Sequence, residues 1–271
     1  MTAHPGFDIE GRIDRPRHWV ESRHSTAPPW LPAPTPEWAQ PSPRRSPSAA
    51  SPSAVLPANA ERLDEVAGRT GMTPLTVDVT DTAALTEAVA GLEIDILVNN
   101  AGVSATGNIV GASADSVDAM VDVNLRAVLH LCRLLLPGMI ERDLGHIVNI
   151  SSIAGLYNFY GHTAYHATKA AVHQLSRQLR NDTIGKRVRV TEICPGRAET
   201  EIFGRNLGGT LEAMQTAWDT YYEGFESITT KDIADTIEYA IEAPRHVNLG
   251  LIEIMPTFQV PGGLDFIRRN D

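Results

Sequence analysis

From about residue 60 onward, short apolar runs alternate with longer segments whose apolar residues recur at helical spacing. The run 94–102 is apolar almost throughout, as expected for a strand buried on both faces of a parallel sheet. Residues 116–139 instead carry one apolar stripe, which is typical of an amphipathic helix. This alternation predicts an α/β fold in which crossover helices connect the strands of a parallel sheet.

The same pattern places the remaining elements. We predict strands over residues 75–81, 94–102, 146–152, 188–196 and 249–256. We predict helices over residues 83–90, 116–139, 165–181 and 230–243. Thr82 is expected to start the first helix, and Thr229 or Thr230 to cap the last. The predicted order is β-α-β-α-β-α-β-α-β.

Residues 1–58 differ from the rest of the chain. They hold 12 of the 18 prolines and three of the four tryptophans. Proline lacks a backbone donor and is excluded from helix interiors and central strands. We therefore predict a Pro-rich, anomalous or disordered segment over 1–58 and a folded domain over 59–271.

The net charge and the cysteine content limit which partners and which cellular compartment suit the chain. The formal net charge of −10 argues against nucleic acid or an anionic membrane as the main partner, since both require a concentrated positive surface. No apolar run approaches the roughly 18 residues that span a bilayer. Cys132 and Cys194 both lie in apolar stretches, which predicts buried, reduced thiols and a cytoplasmic protein.

Ser152, Tyr165 and Lys169 form the sharpest candidate constellation. Tyr165 and Lys169 are four residues apart, so on a helix they share one face, and the ammonium is expected to lower the pKa of the phenol. A phenol tuned in this way can exchange a proton with an alcohol or carbonyl. Ser152 is expected at the carboxyl end of a parallel strand, where open α/β sheets bind ligands.

Five motifs in order carry a family resemblance. They are NNAG at 99–102, Asn124 in VDVNLRA, Ser152 in NISSIAG, YHATK at 165–169 and PGRAET at 195–200. From about Ala60 to the C-terminus, the sequence resembles the short-chain dehydrogenase/reductase family. The resemblance implies a Rossmann-type doubly wound sheet, a nicotinamide dinucleotide cofactor and hydride transfer to or from a carbinol or carbonyl carbon. It implies NADP, with NAD as the alternative.

The resemblance also implies catalytic roles. Tyr165 would be the general acid/base, Ser152 would position the substrate oxygen, and Lys169 would tune the phenol and bind the nicotinamide ribose. Asn124 would hold a water of the proton relay from a widened turn of its helix. Two alternatives stay open: Ser151 rather than Ser152 faces the site, and Asn124 is a structural residue satisfied by backbone.

The cofactor contacts implied by the resemblance lie after successive strands. Asp78, followed by Val79, would meet the adenine. Asn99, Ala101 and Gly102 would line the adenosine ribose. Besides Tyr165 and Lys169, the nicotinamide end would be held by Pro195, Gly196 and Thr200.

Two longer segments, LLPGMIERDLGHIVNISSIAG and APRHVNLGLIEIMPT, resemble the NADP-dependent branch that acts on short 3-hydroxy acids such as serine. A general ketoreductase is the alternative. Arg197, Arg205 and Arg245 are candidates for binding a substrate carboxylate, although a solvated surface role is the competing interpretation of each. The two long helices resemble those that pair across subunits in family members, which predicts a homo-oligomer, a tetramer or dimer.

One expected motif is missing. The family begins with a strand and a turn T-G-x-x-x-G-x-G that holds the pyrophosphate, and the 271 residues contain no such motif. Read one base later, codons for residues 15–25 permit A-L-V-T-G-S-S-R-G-I, a likeness of that turn. The alternatives are therefore a frameshifted N-terminus and a divergent tail. For the function, the absence of this turn leaves a second hypothesis, a non-catalytic remnant that cannot bind cofactor.

Overall fold

The computed structural model describes residues 54–55 and 73–260. All of them belong to one compact unit, Ser51–Asp271. The predicted Pro-rich segment and its boundary at residue 58 lie almost entirely outside the described residues, so both stay predictions.

The described strands form two parallel sheets. The smaller pairs β1 (Ala54–Val55) with β2 (Thr73–Pro74). The larger has the order β3-β4-β5-β6 and consists of β3 (Ile96–Asn99), β4 (Gly145–Ile150), β5 (Val188–Pro195) and β6 (Leu251–Ile254). Every pairing in both sheets is parallel, which confirms the α/β fold predicted from the alternation of elements.

Helices connect successive strands. They are α1 (Thr82–Ala88), α2 (Ala114–Val121), α3 (Ala127–Glu141), α4 (Thr163–Asp182), α5 (Ile202–Asn206), α6 (Leu211–Tyr221) and α7 (Thr230–Glu242). A π-helical turn, Asp122–Arg126, joins α2 to α3, so the predicted helix 116–139 is continuous but widened at its centre. The Thr229 side chain caps α7 in a capping box with Asp232.

The core lies between the larger sheet and the apolar stripe of α3. Leu135 and Met139 of α3 pack with Leu85 of α1 against Ile147 and Val190 of the central strands. Full burial of side chains of this size stabilises the fold by about 1.5–3 kcal/mol each. This cluster holds the central strands in register, and so fixes where their carboxyl ends lie.

Two local predictions were wrong, and two helices were missed. Residues 75–81 form no strand, because pairing with β1 involves only Thr73 and Pro74. Asp81, not Thr82, caps α1, since its carboxylate accepts from two backbone N–H groups of the first turn. Helices α5 and α6 were not predicted, because their apolar residues pack mainly on each other and lack the long stripe of α3.

Strand β3 lies at an edge of the larger sheet. Among the described residues its ladder partner is β4 alone. Ile96 and Val98 are 43% and 39% exposed, although their residue types suit a strand covered on both faces. This edge is where a doubly wound sheet of order 3-2-1-4 would carry its first strand. No helix in the described part of the chain is both long and apolar enough to cross a membrane.

Candidate active site

Two serines follow β4, and they have different surroundings. Ser151 is buried, and its Oγ donates to the backbone oxygen of Lys169 at 3.2 Å. Ser152 is half-buried and its Oγ accepts from the N–H of Ala154 at 3.1 Å. The Ser152 hydroxyl is also the hydrogen-bonding partner of the Tyr165 phenol. The structure therefore selects Ser152, and not Ser151, as the serine next to Tyr165.

Tyr165 lies in the first turn of α4, beside the end of β4. Burial raises the pKa of its phenol, the Ser152 hydroxyl acts in the opposite direction, and Cys194 adds to the rise. The predicted direction of the pKa shift was therefore wrong. The cost of burying a phenolate exceeds the stabilisation that its neighbours provide in the free protein.

Lys169 lies one turn further along the same face of α4 and is 5% exposed. Its Nζ donates to the backbone oxygen of Ile150 at 2.9 Å and lies 5.7 Å from the centroid of the Tyr165 ring. Burial lowers the pKa of Lys169 to about 8, while Cys194 and Glu192 act in the opposite direction. A lysine with this pKa can change protonation state near neutral pH.

The three predicted side chains thus meet at the carboxyl end of β4. A hydroxyl, a phenol and an ammonium face a common region, where open α/β sheets bind their ligands. Such a set can hydrogen-bond an oxygen and transfer a proton to or from it.

Asn124 lies in the π-helical turn between α2 and α3, which is the widened turn that was predicted. Its side chain makes two hydrogen bonds of 2.8 Å with the backbone of Val103, one as donor and one as acceptor. Its Nδ2 also donates to Thr168 Oγ1 at 3.2 Å. The side chain is thus used structurally, and it fixes the loop after β3 against α4.

The loop after β3 brings Gly102 next to these groups. A Cβ at Gly102 would lie 3.5 Å from Asn124 Oδ1 and 3.7 Å from Lys169 Nζ. Ala101 and Gly102 are exposed, whereas the Asn99 side chain is buried and donates to Asn149 Oδ1 at 2.8 Å. Because this side chain is buried and bonded, a ligand at Asn99 would contact the backbone of that residue.

The segment after β5 is held by three neighbours. Pro195 ends the strand, and Gly196 has no room for a side chain because Gln259 and Met255 fill that space. Thr200 is exposed, and its backbone N–H and carbonyl both bond to the Tyr222 hydroxyl, at 3.3 and 3.1 Å. The Tyr222 hydroxyl thus holds the backbone of Thr200 in place.

Asp78 and Val79 lie in the turn before α1. Asp78 Oδ1 accepts from both the N–H and the hydroxyl of Thr80 at 2.8 Å, and these hydrogen bonds lower the pKa of its carboxyl. Asp78 is exposed. The predicted adenine contacts of Asp78 and Val79 stay predictions.

The three candidate arginines have distinct surroundings. Arg197 donates to the backbone oxygen of Tyr221 and lies 4.4 Å above the Phe225 ring. Arg205 is exposed and pairs with Glu201 at 2.7 Å. Arg245 lies close enough to Arg189 to lower the pKa of that guanidinium. Arg189 is at the amino end of β5, whereas Ser152 follows the carboxyl end of the neighbouring strand. The fold therefore argues against Arg245 as a substrate ligand.

Comparison with known proteins identifies the family. A model of the short chain dehydrogenases matches residues 50–208. The chain belongs to the short-chain dehydrogenase family. It is 40% identical over 220 residues to serine 3-dehydrogenase of Rhizobium radiobacter, covering 78% of this chain and 86% of that protein. It is 38% identical over 218 residues to the NADP-dependent 3-hydroxy acid dehydrogenase of Salmonella typhi, covering 77% and 86%.

The chain is also similar to solved structures of serine dehydrogenases. The closed form of serine dehydrogenase complexed with NADP+ superposes with a TM-score of 0.73 at 33% identity, covering 80% of this chain and 90% of that one. Serine dehydrogenase from Escherichia coli gives a TM-score of 0.65 at 33% identity, covering 77% and 88%. The resemblance to enzymes of 3-hydroxy acids is thereby confirmed.

Sequence reasoning missed several residues of this dehydrogenase that contact the segments carrying the site residues. Gly155 is one, because a Cβ there would lie 2.8 Å from the Lys169 backbone oxygen. Gln259 is another, since its Oε1 accepts from the N–H of Arg197 at 2.7 Å. Glu192 and His173 are joined by a contact of 2.7 Å. Only Glu192 gave a signal, as the one acidic residue of a predicted buried strand.

Proposed function

We propose that the chain is an NADP-dependent oxidoreductase that transfers a hydride between the nicotinamide and the secondary alcohol or carbonyl of a short 3-hydroxy acid. The convergence of Ser152, Tyr165 and Lys169 at the end of β4 carries this proposal. The names of the relatives, serine 3-dehydrogenase and NADP-dependent 3-hydroxy acid dehydrogenase, supply the substrate class and the cofactor.

In this mechanism Tyr165 is the general acid/base. Its phenolic oxygen exchanges a proton with the substrate oxygen, and the Ser152 hydroxyl orients the same oxygen by a hydrogen bond. Lys169 holds a positive charge next to the phenol and binds the ribose of the cofactor. We assign Asn124 the task of holding the loop of Val103, and through it Gly102, beside Lys169.

The residues present fit the nicotinamide riboside half of the cofactor. Gly102 leaves open space next to Lys169 Nζ, and a side chain longer than alanine would fill it. Lys169 would hold the nicotinamide ribose and Thr200 would meet the carboxamide, while Asn99, Ala101 and Gly102 keep their predicted role of lining the adenosine ribose. When bound, the nicotinamide supplies or accepts the hydride.

The pyrophosphate half lacks its usual partner. In relatives of this fold the backbone of a glycine-rich turn binds the phosphates at a helix N-terminus, and the sequence has no such turn. A non-catalytic remnant is therefore the second candidate function, and a general ketoreductase is the alternative substrate range.

Titration of the purified full-length chain with NADPH and NADH separates these functions. We expect a change in reduced-nicotinamide fluorescence on addition of protein, with NADPH binding more tightly than NADH. We also expect NADP-dependent oxidation of serine or another short 3-hydroxy acid. Absence of any fluorescence change at millimolar cofactor would favour the remnant, and turnover only of uncharged ketones would favour the ketoreductase.

The proposal also covers the oligomeric state and the cellular location of the protein. We infer a homo-oligomer because α2 and α3 leave large apolar side chains such as Val121 and Leu129 exposed. Light scattering that shows a monomer would contradict it. A cytoplasmic location is supported by Cys132 and Cys194, which are buried and unpaired, as in reducing compartments.

A further inference from the structure

The loop that leads from Ser152 to Tyr165 is held to its surroundings by three hydrogen bonds. A short 3-10 turn, Ile153–Gly155, follows Ser152, and α4 begins at Thr163, so residues 156–162 form this connecting loop. The bonds run from the Tyr157 hydroxyl to Glu253 Oε2 at 3.1 Å, from the Phe159 N–H to His166 Nε2 at 3.2 Å, and from the Gly107 N–H to the Gly161 oxygen at 2.6 Å. The middle bond is the one whose acceptor is an imidazole.

The contacts of the His166 ring fix its protonation state. The backbone N–H of Phe159 can only donate, so Nε2 of His166 must carry a free lone pair. Nδ1 lies 2.7 Å from the carbonyl oxygen of His162, which can only accept, so Nδ1 must carry the proton. Both bonds therefore require the neutral Nδ1–H imidazole. A doubly protonated ring has no acceptor and would place its Nε2–H against the N–H of Phe159.

His166 also joins the connecting loop to the first turn of α4. The carbonyl of His162 accepts both the ring Nδ1–H and the backbone N–H of His166, the latter at 2.9 Å, whereas the His162 side chain makes no capping bond to the helix. The Phe159 ring packs edge-on against the His166 ring, with centroids 4.2 Å apart. Tyr165 precedes His166 in the same turn. The position of its phenol thus depends on how His166 meets the loop.

The charged surroundings give His166 no partner for a second proton. The titratable groups of the loop and of α4 near it are Tyr157, His162, Tyr165, Lys169 and His173. The elements that pack on α4 or on the loop contribute the carboxylates Asp115, Asp118, Asp122, Glu192 and Glu253. Residues 103–111, which meet the loop at Gly107, have no titratable side chain. Among the described residues, no carboxylate forms an ion pair or hydrogen bond with His166.

We propose that His166 is a positioning residue: its neutral Nδ1–H form holds the connecting loop to α4 and so keeps Tyr165 beside Ser152, and a second proton on Nε2 releases the loop. Histidine is the side chain whose charge ordinarily changes between pH 5 and pH 8. The acceptors of the other two bonds are a backbone oxygen and a carboxylate, and carboxylates ordinarily stay charged in that range. The effect on catalysis rests on the function proposed above, but the release of the loop does not.

Hydrogen exchange of the Phe159 amide in the full-length chain tests the release. Exchange rates at pH 7.5 and pH 5.5 are each compared with the intrinsic rate at the same pH. We expect the protection factor of Phe159 to fall about tenfold on acidification, because one hydrogen bond of this kind is lost. The Val103 amide is the internal control, since it also bonds to a side chain, Asn124 Oδ1 at 2.8 Å, but that acceptor does not titrate. Equal changes at the two amides, or no fall at Phe159, would overturn the proposal.

Two variants separate the neighbouring histidines. In His166→Gln the amide can accept from Phe159 and donate to the His162 oxygen but does not titrate, so protection of Phe159 should be the same at both pH values. His162→Gln is the matched control, because it removes the adjacent ring and keeps the backbone oxygen that His166 bonds, so the fall should persist. A fall that persists in His166→Gln, or that is lost in His162→Gln, would overturn the assignment to His166. The comparison of Phe159 with Val103 within the parent is decisive even if a variant does not fold.

Carbonyl reduction measures the effect on catalysis. Reduction uses the neutral phenol of Tyr165 as the acid, and burial raises the pKa of that phenol, so acidification leaves Tyr165 in the form that it needs. We expect kcat for reduction of a short 3-oxo acid with NADPH to fall about fivefold between pH 7.5 and pH 5.5 in the parent and in His162→Gln, because a small displacement of a proton donor slows the reaction. In His166→Gln the fall should be less than about twofold. An equal fall in His166→Gln would overturn the positioning role.

The exchange and activity measurements fail separately. If the parent shows the pH-dependent protection of Phe159 but reduces no 3-oxo acid, the proposed function is rejected and the release of the loop by His166 stands. If the enzyme is active and the protection of Phe159 does not depend on pH, only the role of His166 is rejected.

Discussion

The Nζ atom of Lys169 lies 5.7 Å from the centroid of the Tyr165 ring, one helical turn away on α4. Lys169 is buried and Tyr165 is half-buried, and loss of solvent lowers the pKa of Lys169 and raises that of Tyr165. Both shifts favour the neutral forms, as burial predicts. The free protein therefore holds a neutral phenol beside a lysine that is close to its titration point, and bound groups must supply any further tuning.

Replacement of Tyr165 by phenylalanine should abolish turnover and leave the fold intact. The change removes the hydroxyl that exchanges the proton and little volume, so we expect at least a 100-fold loss of kcat. Steady-state kinetics with NADP and a 3-hydroxy acid measure it, and circular dichroism checks the fold. Tyr160→Phe is the matched control, because Tyr160 is 84% exposed and should retain full activity. Turnover within tenfold of the parent would mean that Tyr165 is not the acid/base.

Lys169 should make stability rise with pH in the alkaline range. Its folded pKa of about 8 lies below the unfolded value of 10.5, so the unfolded state binds more protons between these pH values. The free energy of unfolding of the parent, relative to Lys169→Met, should therefore increase between pH 8 and pH 10.5 by up to about 3 kcal/mol. Urea unfolding at several pH values measures it, and parallel curves for the two proteins would contradict the lowered pKa.

The strands and their carboxyl-end residues were predictable because their signals are local. The apolar runs that contain Ile96–Asn99 and Gly145–Ile150, and the spacing of Tyr165 and Lys169, are visible in the sequence itself. Pairing and burial are not local. Residues 75–81 have the composition of a strand but no described strand lies alongside them, and the pKa of Tyr165 depends on how much of the phenol other segments cover.

His146 should make the fold sensitive to acid. It is buried in β4 and bonds to Thr191 Oγ1 at 2.9 Å. Burial, together with Arg189, lowers its pKa to about 4. Because the unfolded state takes up a proton near pH 6.5, stability should fall by about 3 kcal/mol as the pH drops from 6.5 to 4.

The variant His146→Gln isolates this contribution. The amide can still bond to Thr191 but does not titrate, so it should remove most of the difference in urea-unfolding free energy between pH 6.5 and pH 4. His246→Gln changes an exposed histidine and should leave the acid sensitivity as it is in the parent. Equal acid sensitivity in His146→Gln would show that another group is responsible.

Replacement by alanine should affect stability differently at Gly155 and at Gly102. A Cβ at Gly155 would lie 2.8 Å from the backbone oxygen of Lys169, which cannot move without displacing α4. We expect Gly155→Ala to lower the free energy of unfolding by about 1–3 kcal/mol. At Gly102 the nearest atoms are 3.5 Å or more away, so Gly102→Ala should be nearly neutral for stability. Thermal unfolding compares them, and equal losses would contradict the close approach of Gly155 to α4.

The coding DNA tests the origin of the missing phosphate turn. If the N-terminus is frameshifted, the reading frame one base later should encode a strand followed by a glycine-rich turn upstream of β1. A shifted frame without such a turn would exclude the frameshift and leave the divergent tail.

Supplying a glycine-rich strand and turn in place of the N-terminal segment should strengthen NADPH binding. Backbone N–H groups at a helix N-terminus bind phosphate, and two or three such bonds to a charged group contribute about 3 kcal/mol in all, or roughly 100-fold in Kd. The added strand should also pair with the edge of β3 and cover Ile96 and Val98, so we expect a higher Tm. Fluorescence titration with NADPH compares the two chains. A third chain, with the glycines of the turn changed to alanine, should keep the gain in Tm but lose the gain in affinity, because the strand still forms while the phosphates can no longer approach the backbone. Equal affinity in all three would mean that the described residues alone hold the cofactor.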